Sequence, residues 1–213
     1  MKKKLTIVVS LFLVLALSIG GTIAWLTDTD SVTNTFTIGK VDITLTEPAG
    51  AAVEYDYSIV PGAVYAKDPT ITVTTDSEDC WLFVKIEDKN NTNDAGAKYI
   101  TYEVRTGEGN WTQLTTDKAG NDITAQQIYY RKVAKDAETK TFYVLTEGTP
   151  TDTTTSGKNG VVTANGATIT SEYVAKLADK DSGVKAPELV FTAYAIQQQS
   201  FTSAADAWAE LNP

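Results

Sequence analysis

From residue 35 onward the chain repeatedly alternates an apolar residue with a threonine or another polar residue. Phe36 and Ile38 alternate with Thr35 and Thr37; Val41, Ile43 and Leu45 alternate with Asp42, Thr44 and Thr46. Ile71 and Val73 sit among threonines in the same way, and Ile100, Tyr102 and Val104 alternate again. A period of two sends one set of side chains inward and the other into water. Threonine suits the wet face because its branched Cβ favours strands while its hydroxyl stays hydrated. The chain is therefore read as all-β.

Further strands are predicted at Trp81–Ile86, Ile128–Val133, Thr141–Leu145, Thr168–Val174 and Leu189–Gln197. Trp81–Ile86 (WLFVKI) is almost continuously apolar, which predicts a central strand covered on both faces. Pro61-Gly62, Asn159-Gly160 and Asn165-Gly166 supply turns. The last of these, between Val161-Val162 and Ala167–Ile169, reads as a hairpin. Two polar stretches, Glu87–Gly96 and Gly148–Gly160, read as exposed loops. One helix is expected near the C-terminus. Ser203 and Asp206 form a capping-box variant, and Ala204, Trp208 and Leu211 then share a face. Trp208 must dock on a sheet to hold so short a helix. The expected architecture is a two-sheet antiparallel sandwich, jelly-roll-like, with a short C-terminal helix.

The first 24 residues follow a different rule. Lys2, Lys3 and Lys4 precede an apolar stretch from Leu5 to Ile19; Gly20-Gly21 and then Thr22-Ile23-Ala24 follow. That order is a secretory signal, with cleavage expected between Ala24 and Trp25. Residues 5–26 are also about long enough to span a bilayer. Asp28 and Asp30 stand where a stop-transfer segment would be basic, which favours cleavage. The predicted organisation is a signal peptide at 1–24 and one β-sandwich domain at 25–213, whose segment 25–38 is extended. Membrane contact is expected only before cleavage, and the mature chain is expected outside the cell.

Cleavage removes three lysines and takes the net charge from −9 to about −12. Such a surface repels nucleic acid, and no nucleic-acid partner is expected. There is no histidine, so His-based triads, Cys–His dyads and HExxH zinc sites are excluded. The single cysteine, Cys80, lies beside Trp81 and reads as a buried thiol. No internal disulfide is available to one cysteine, which is normal for an exported Gram-positive protein. No carboxylate pair is singled out by spacing. Catalytic residues, cofactors and a dedicated metal site are therefore not expected. Asp88, Asn90 and Asp94 are the hard oxygen donors that calcium would use, but their spacing misses the EF-hand pattern. Tyr55, Tyr57, Tyr129 and Tyr130 read as packing residues rather than a ligand face.

At the signal junction, Gly20-Gly21-Thr22-Ile23-Ala24-Trp25-Leu26-Thr27-Asp28 is followed by Thr35-Phe36-Thr37-Ile38-Gly39-Lys40-Val41-Asp42-Ile43. This resembles the TasA/camelysin family, exported proteins processed by a SipW-type signal peptidase. Val60-Pro61-Gly62 resembles the family's turn before a strand, and Phe191–Gln197 followed by Ala207-Trp208 resembles its closing strand and tail. The resemblance implies a jelly-roll-like domain secreted into the extracellular matrix of a biofilm or held at the cell surface, with self-association into fibres. It further implies that the mature N-terminal segment of one subunit completes the sheet of the next. Trp25, Leu26, Phe36 and Ile38 would then be the donor-strand side chains. Camelysin-like members carry a metalloprotease label, which a chain without histidine gives no ground to adopt. The alternative expectation is a monomeric, adhesin-like module that binds a cell surface or carbohydrate.

Overall fold

A computed structural model of the chain describes residues 40–46, 59–149, 151 and 159–211. All of these belong to a single unit, Gly39–Pro213. The strands are β1 (Ile43–Thr46), β2 (Val64–Ala66), β3 (Thr70–Val73), β4 (Cys80–Lys89), β5 (Ile100–Tyr102), β6 (Thr112–Gln113), β7 (Ile128–Val133), β8 (Thr141–Tyr143), β9 (Glu147–Gly148), β10 (Asn159–Ala164) and β11 (Glu188–Gln197). Two helices join them, α1 (Ser171–Ala178) and α2 (Ala204–Leu211). Hydrogen bonding gives three sheets, ordered β1-β3-β8, β2-β10-β5 with β9 beside β10, and β11-β4-β7-β6. Every strand pair is antiparallel.

The first two sheets act as one layer. Val104 bridges Leu145, the Arg105 N–H donates to the Val144 carbonyl at 2.8 Å, and the Thr146 N–H donates to the Glu103 carbonyl at 2.9 Å. The β11-β4-β7-β6 sheet is the opposing layer. Between them lies a core that joins Ile71, Val73 and Phe142 of one layer to Leu82, Val84, Ile86 and Val133 of the other. The fold is thus an all-β sandwich.

Strand β4 explains its own sequence. Cys80, Leu82, Val84 and Ile86 face the core between the layers, while Trp81 and Phe83 face a second core on the outer side. A strand covered on both faces has no wet side and therefore no polar alternation. The cover over Trp81 and Phe83 is α2. Ser203 caps it: the Asp206 N–H donates to Ser203 Oγ at 3.1 Å, and the Ser203 hydroxyl donates to Asp206 Oδ2 at 2.7 Å. Trp208 is buried, its ring centroid 5.3 Å from Phe83 and 5.2 Å from Tyr194.

Four sequence expectations are corrected. Asn159-Gly160 supplies no turn, because both residues belong to β10, paired with Gly148 and Glu147 of β9. The strand expected at Thr168–Val174 is replaced by α1, so Asn165-Gly166 opens no hairpin. Thr170 caps this helix by accepting from the Tyr173 N–H at 3.2 Å, and Glu172 pairs with Lys176 one turn on at 2.9 Å. Tyr173 is buried in a stack on Tyr99, with centroids 3.9 Å apart. Asn165 serves the approach: its Oδ1 accepts from the Ala167 N–H, while Thr168 Oγ1 donates to the Lys98 carbonyl. The Glu87–Gly96 stretch is not wholly exposed, because β4 runs to Lys89 and Asn91 is buried. Asn91 imitates a strand partner, accepting from the Ile100 N–H at 2.7 Å and donating to the Ile100 carbonyl at 2.9 Å. The strand expected at Thr141–Leu145 stops at Tyr143. Val144 and Leu145 are both fully buried where the chain passes from the first sheet to the second.

Candidate functional site

Among the described residues, the longest strand edge without a hydrogen-bonded partner belongs to β11, with β1 lying near it. All ten of its residues pair with β4 on one side, from Glu188 opposite Lys89 to Gln197 opposite Cys80. Over Leu189–Ile196 the other edge has no hydrogen-bonded strand among the described residues. Every residue after Glu188 is half-buried. Leu189, Phe191, Ala193 and Ala195 pack on the core between the layers; Tyr194 and Ile196 pack on the core beneath α2. Edges are normally guarded by lysine, proline, a bulge or brevity. The sequence ELVFTAYAIQ has no lysine, proline or glycine, and its one charge is Glu188 at the end. Its ladder to β4 runs without a bulge. An edge of this kind can accept an added strand.

The signal-junction residues Ala24 and Trp25, the donor candidates Leu26, Phe36 and Ile38, and Tyr55 and Tyr57 lie outside the described residues. The three calcium candidates are described, and each has another engagement. The Asp88 side chain is only 9% exposed, and its Oδ2 pairs with Lys98 Nζ. Asn90 takes a left-handed backbone conformation, with φ of 52°, and its Nδ2 donates to the Ala186 carbonyl at 3.5 Å. Asp94 lies near α1: Glu172 first, and then Asp94, hold the Lys176 ammonium above its usual pKa.

Tyr129 and Tyr130 face opposite sides of β7. Tyr129 packs on the core between the layers, and Tyr130 meets Trp81 edge-on at 5.8 Å. Both pack against cores, as their strand position suggests. Cys80 is buried, and that burial pushes its thiol pKa up to about 11. Thiols react as thiolates. We therefore expect a thiol-specific disulfide reagent at pH 8 to leave the native protein unmodified over an hour and to label one thiol promptly in denaturant. Prompt labelling of the native protein would contradict this burial.

A family model, camelysin metallo-endopeptidase, matches residues 1–126. The chain belongs to this family. No curated protein and no solved structure matched in the corresponding searches. In this camelysin-family protein the matched region runs through β6 and stops before β7, so β11 lies beyond it.

The family description implies a metal. The donor set does not fit a metallopeptidase centre: the chain has no histidine, and its one cysteine is buried against the core. The described residues contain no group of three or more Asp, Glu or Cys side chains placed to hold an ion.

Proposed function

We propose that this camelysin-family protein is a secreted structural protein of the extracellular matrix, not a peptidase. After cleavage by a SipW-type signal peptidase, segment Trp25–Ile38 of one copy adds as a strand to a neighbour, and repetition builds a fibre. The observation that supports this best is the edge of β11 over Leu189–Ile196, which has no hydrogen-bonded strand among the described residues and carries no lysine, proline or bulge. The donor belongs to one surface and the acceptor to another, so the contact is heterologous. Such contacts propagate unless they close into a ring. The added strand would bond the backbone groups of Leu189–Ile196 that have no partner strand among the described residues, and Trp25, Leu26, Phe36 and Ile38 would supply its apolar side chains. The lack of histidine accords with a structural role.

The test is to co-express the full chain with a SipW-type peptidase, sequence the N-terminus of the secreted product, and follow its size for several days. The expected product starts at Trp25 and grows into filaments visible by electron microscopy, and a variant lacking Trp25–Ile38 stays monomeric. A product that starts at Trp25 and remains monomeric at every concentration overturns the fibre reading in favour of a monomeric surface-binding module.

A further inference from the structure

The outer face of the β5–β10 sheet holds a groove of about 290 Å³ of mixed polar and apolar surface, lined by Thr101, Glu103, Thr146, Glu147, Val161 and Thr163 together with Tyr102. Its size is near the lower end of small-ligand sites, about 300 Å³. Thr101 and Thr163 are register partners, so their side chains stand beside each other across the two strands. Tyr102 and Val162 pack on the core between the layers. Strand alternation therefore sends Thr101, Glu103, Val161 and Thr163 outward. Arg105 extends the same row. Its Nη2 donates to Glu147 Oε1 at 3.1 Å, its Nε donates to the Leu145 carbonyl at 3.4 Å, and its guanidinium lies 5.3 Å from the centre of the Tyr143 ring. The Tyr143 side of this row is open, the residue being 43% exposed. Glu147 thus has a fixed cationic partner. Glu103 has none within 4.0 Å among the described residues.

We propose that this groove binds a saccharide chain carrying free amines, with Glu103 as the ammonium partner. The choice of occupant follows from the lining. β5 and β10 are already bonded to each other, so this face offers no edge for an added strand. Among the outward side chains of the lining only Val161 lacks a polar atom. Three threonine hydroxyls both donate and accept, as sugar hydroxyls require. Two carboxylates against one guanidinium leave the groove acidic, which opposes uronic acids and sulfated sugars and favours an amine.

This inference does not rest on fibre assembly. The test is calorimetric titration of freshly secreted mature protein with a glucosamine tetramer, its fully N-acetylated counterpart, and spermine. The glucosamine tetramer is expected to bind saturably, and at least tenfold more tightly than either of the others. Glu103→Gln is expected to weaken it at least tenfold with an unchanged melting temperature, and Thr163→Val to weaken it to a lesser extent. Several results overturn the proposal: no saturable binding of the glucosamine tetramer, equal binding of the acetylated tetramer, equal binding of spermine, or unchanged affinity in Glu103→Gln.

Discussion

Trp208→Ala is expected to lower the unfolding free energy by about 3–5 kcal/mol, the range for losing a buried large aromatic. Total stability of a domain is about 5–15 kcal/mol, so this is a large share. The cost has two sources. Trp208 is 5% exposed and rests on Phe83 and Tyr194, so its removal leaves a cavity over the outer face of β4. It is also the main anchor of α2, which has eight residues. A helix that short does not hold in water without tertiary contacts. Release of α2 would also uncover Phe83, which is fully buried, and Trp81. The measurement is urea unfolding followed by circular dichroism, where the midpoint should fall steeply. If α2 detaches in the variant before global unfolding, the slope should fall as well, because less surface remains to be exposed. Val174→Ala is the contrast. Val174 is 38% exposed on α1, and a change at such a surface position is worth about 0.5 kcal/mol or less. A Trp208→Ala midpoint as close to the parent as that of Val174→Ala would mean that α2 contributes nothing to the fold.

The parts of this fold that were legible in the sequence are those whose environment is set locally. β4 was legible because cover on both faces leaves no polar position from Cys80 to Val84. α2 was legible because Ser203, Asp206 and Trp208 state a cap and an anchor within six positions. α1 was not, because β-branched Thr168, Ile169, Thr170 and Val174 imitate a strand. Tyr173 and Leu177, four residues apart, were the helical signal, since both join the core around Ala164. Asn91 reads as a loop residue because its partner, Ile100, is nine positions away. The open edge and the groove were beyond reach for a stronger reason. β11 pairs with a strand about a hundred residues earlier, and Thr101 meets Thr163 only through the register of β5 on β10. Whether a strand is central or at an edge is a property of the pairing, and no local pattern encodes it.

The edge assignment yields the sharpest test of assembly, a pair of proline substitutions, Thr192→Pro and Ala193→Pro. In an antiparallel ladder, consecutive residues send their N–H groups to opposite sides. One of these two therefore donates toward β4 and the other toward the open edge. Proline on the β4 side removes a native bond and forces its ring against the neighbouring strand, an effect of about 3 kcal/mol if it is as severe as in a helix interior. Proline on the other side removes only a donor that has no strand partner among the described residues, which edge strands tolerate. The expected result is a split pair. One variant loses much of its stability; the other melts close to the parent. The second is the informative one. It keeps the fold but cannot bond an incoming strand at that position, and its ring obstructs the approach. It should therefore form no filaments at parental concentrations. The same variant, made on a chain lacking Trp25–Ile38, should fail to bind a synthetic peptide of residues 25–38 that the unsubstituted truncated chain captures. Filaments of undiminished length from the stable proline variant would place the acceptor elsewhere. Loss of filaments together with undiminished peptide capture would separate strand addition from fibre growth, and the β11 edge would then be a joint of the fibre but not the site that takes residues 25–38.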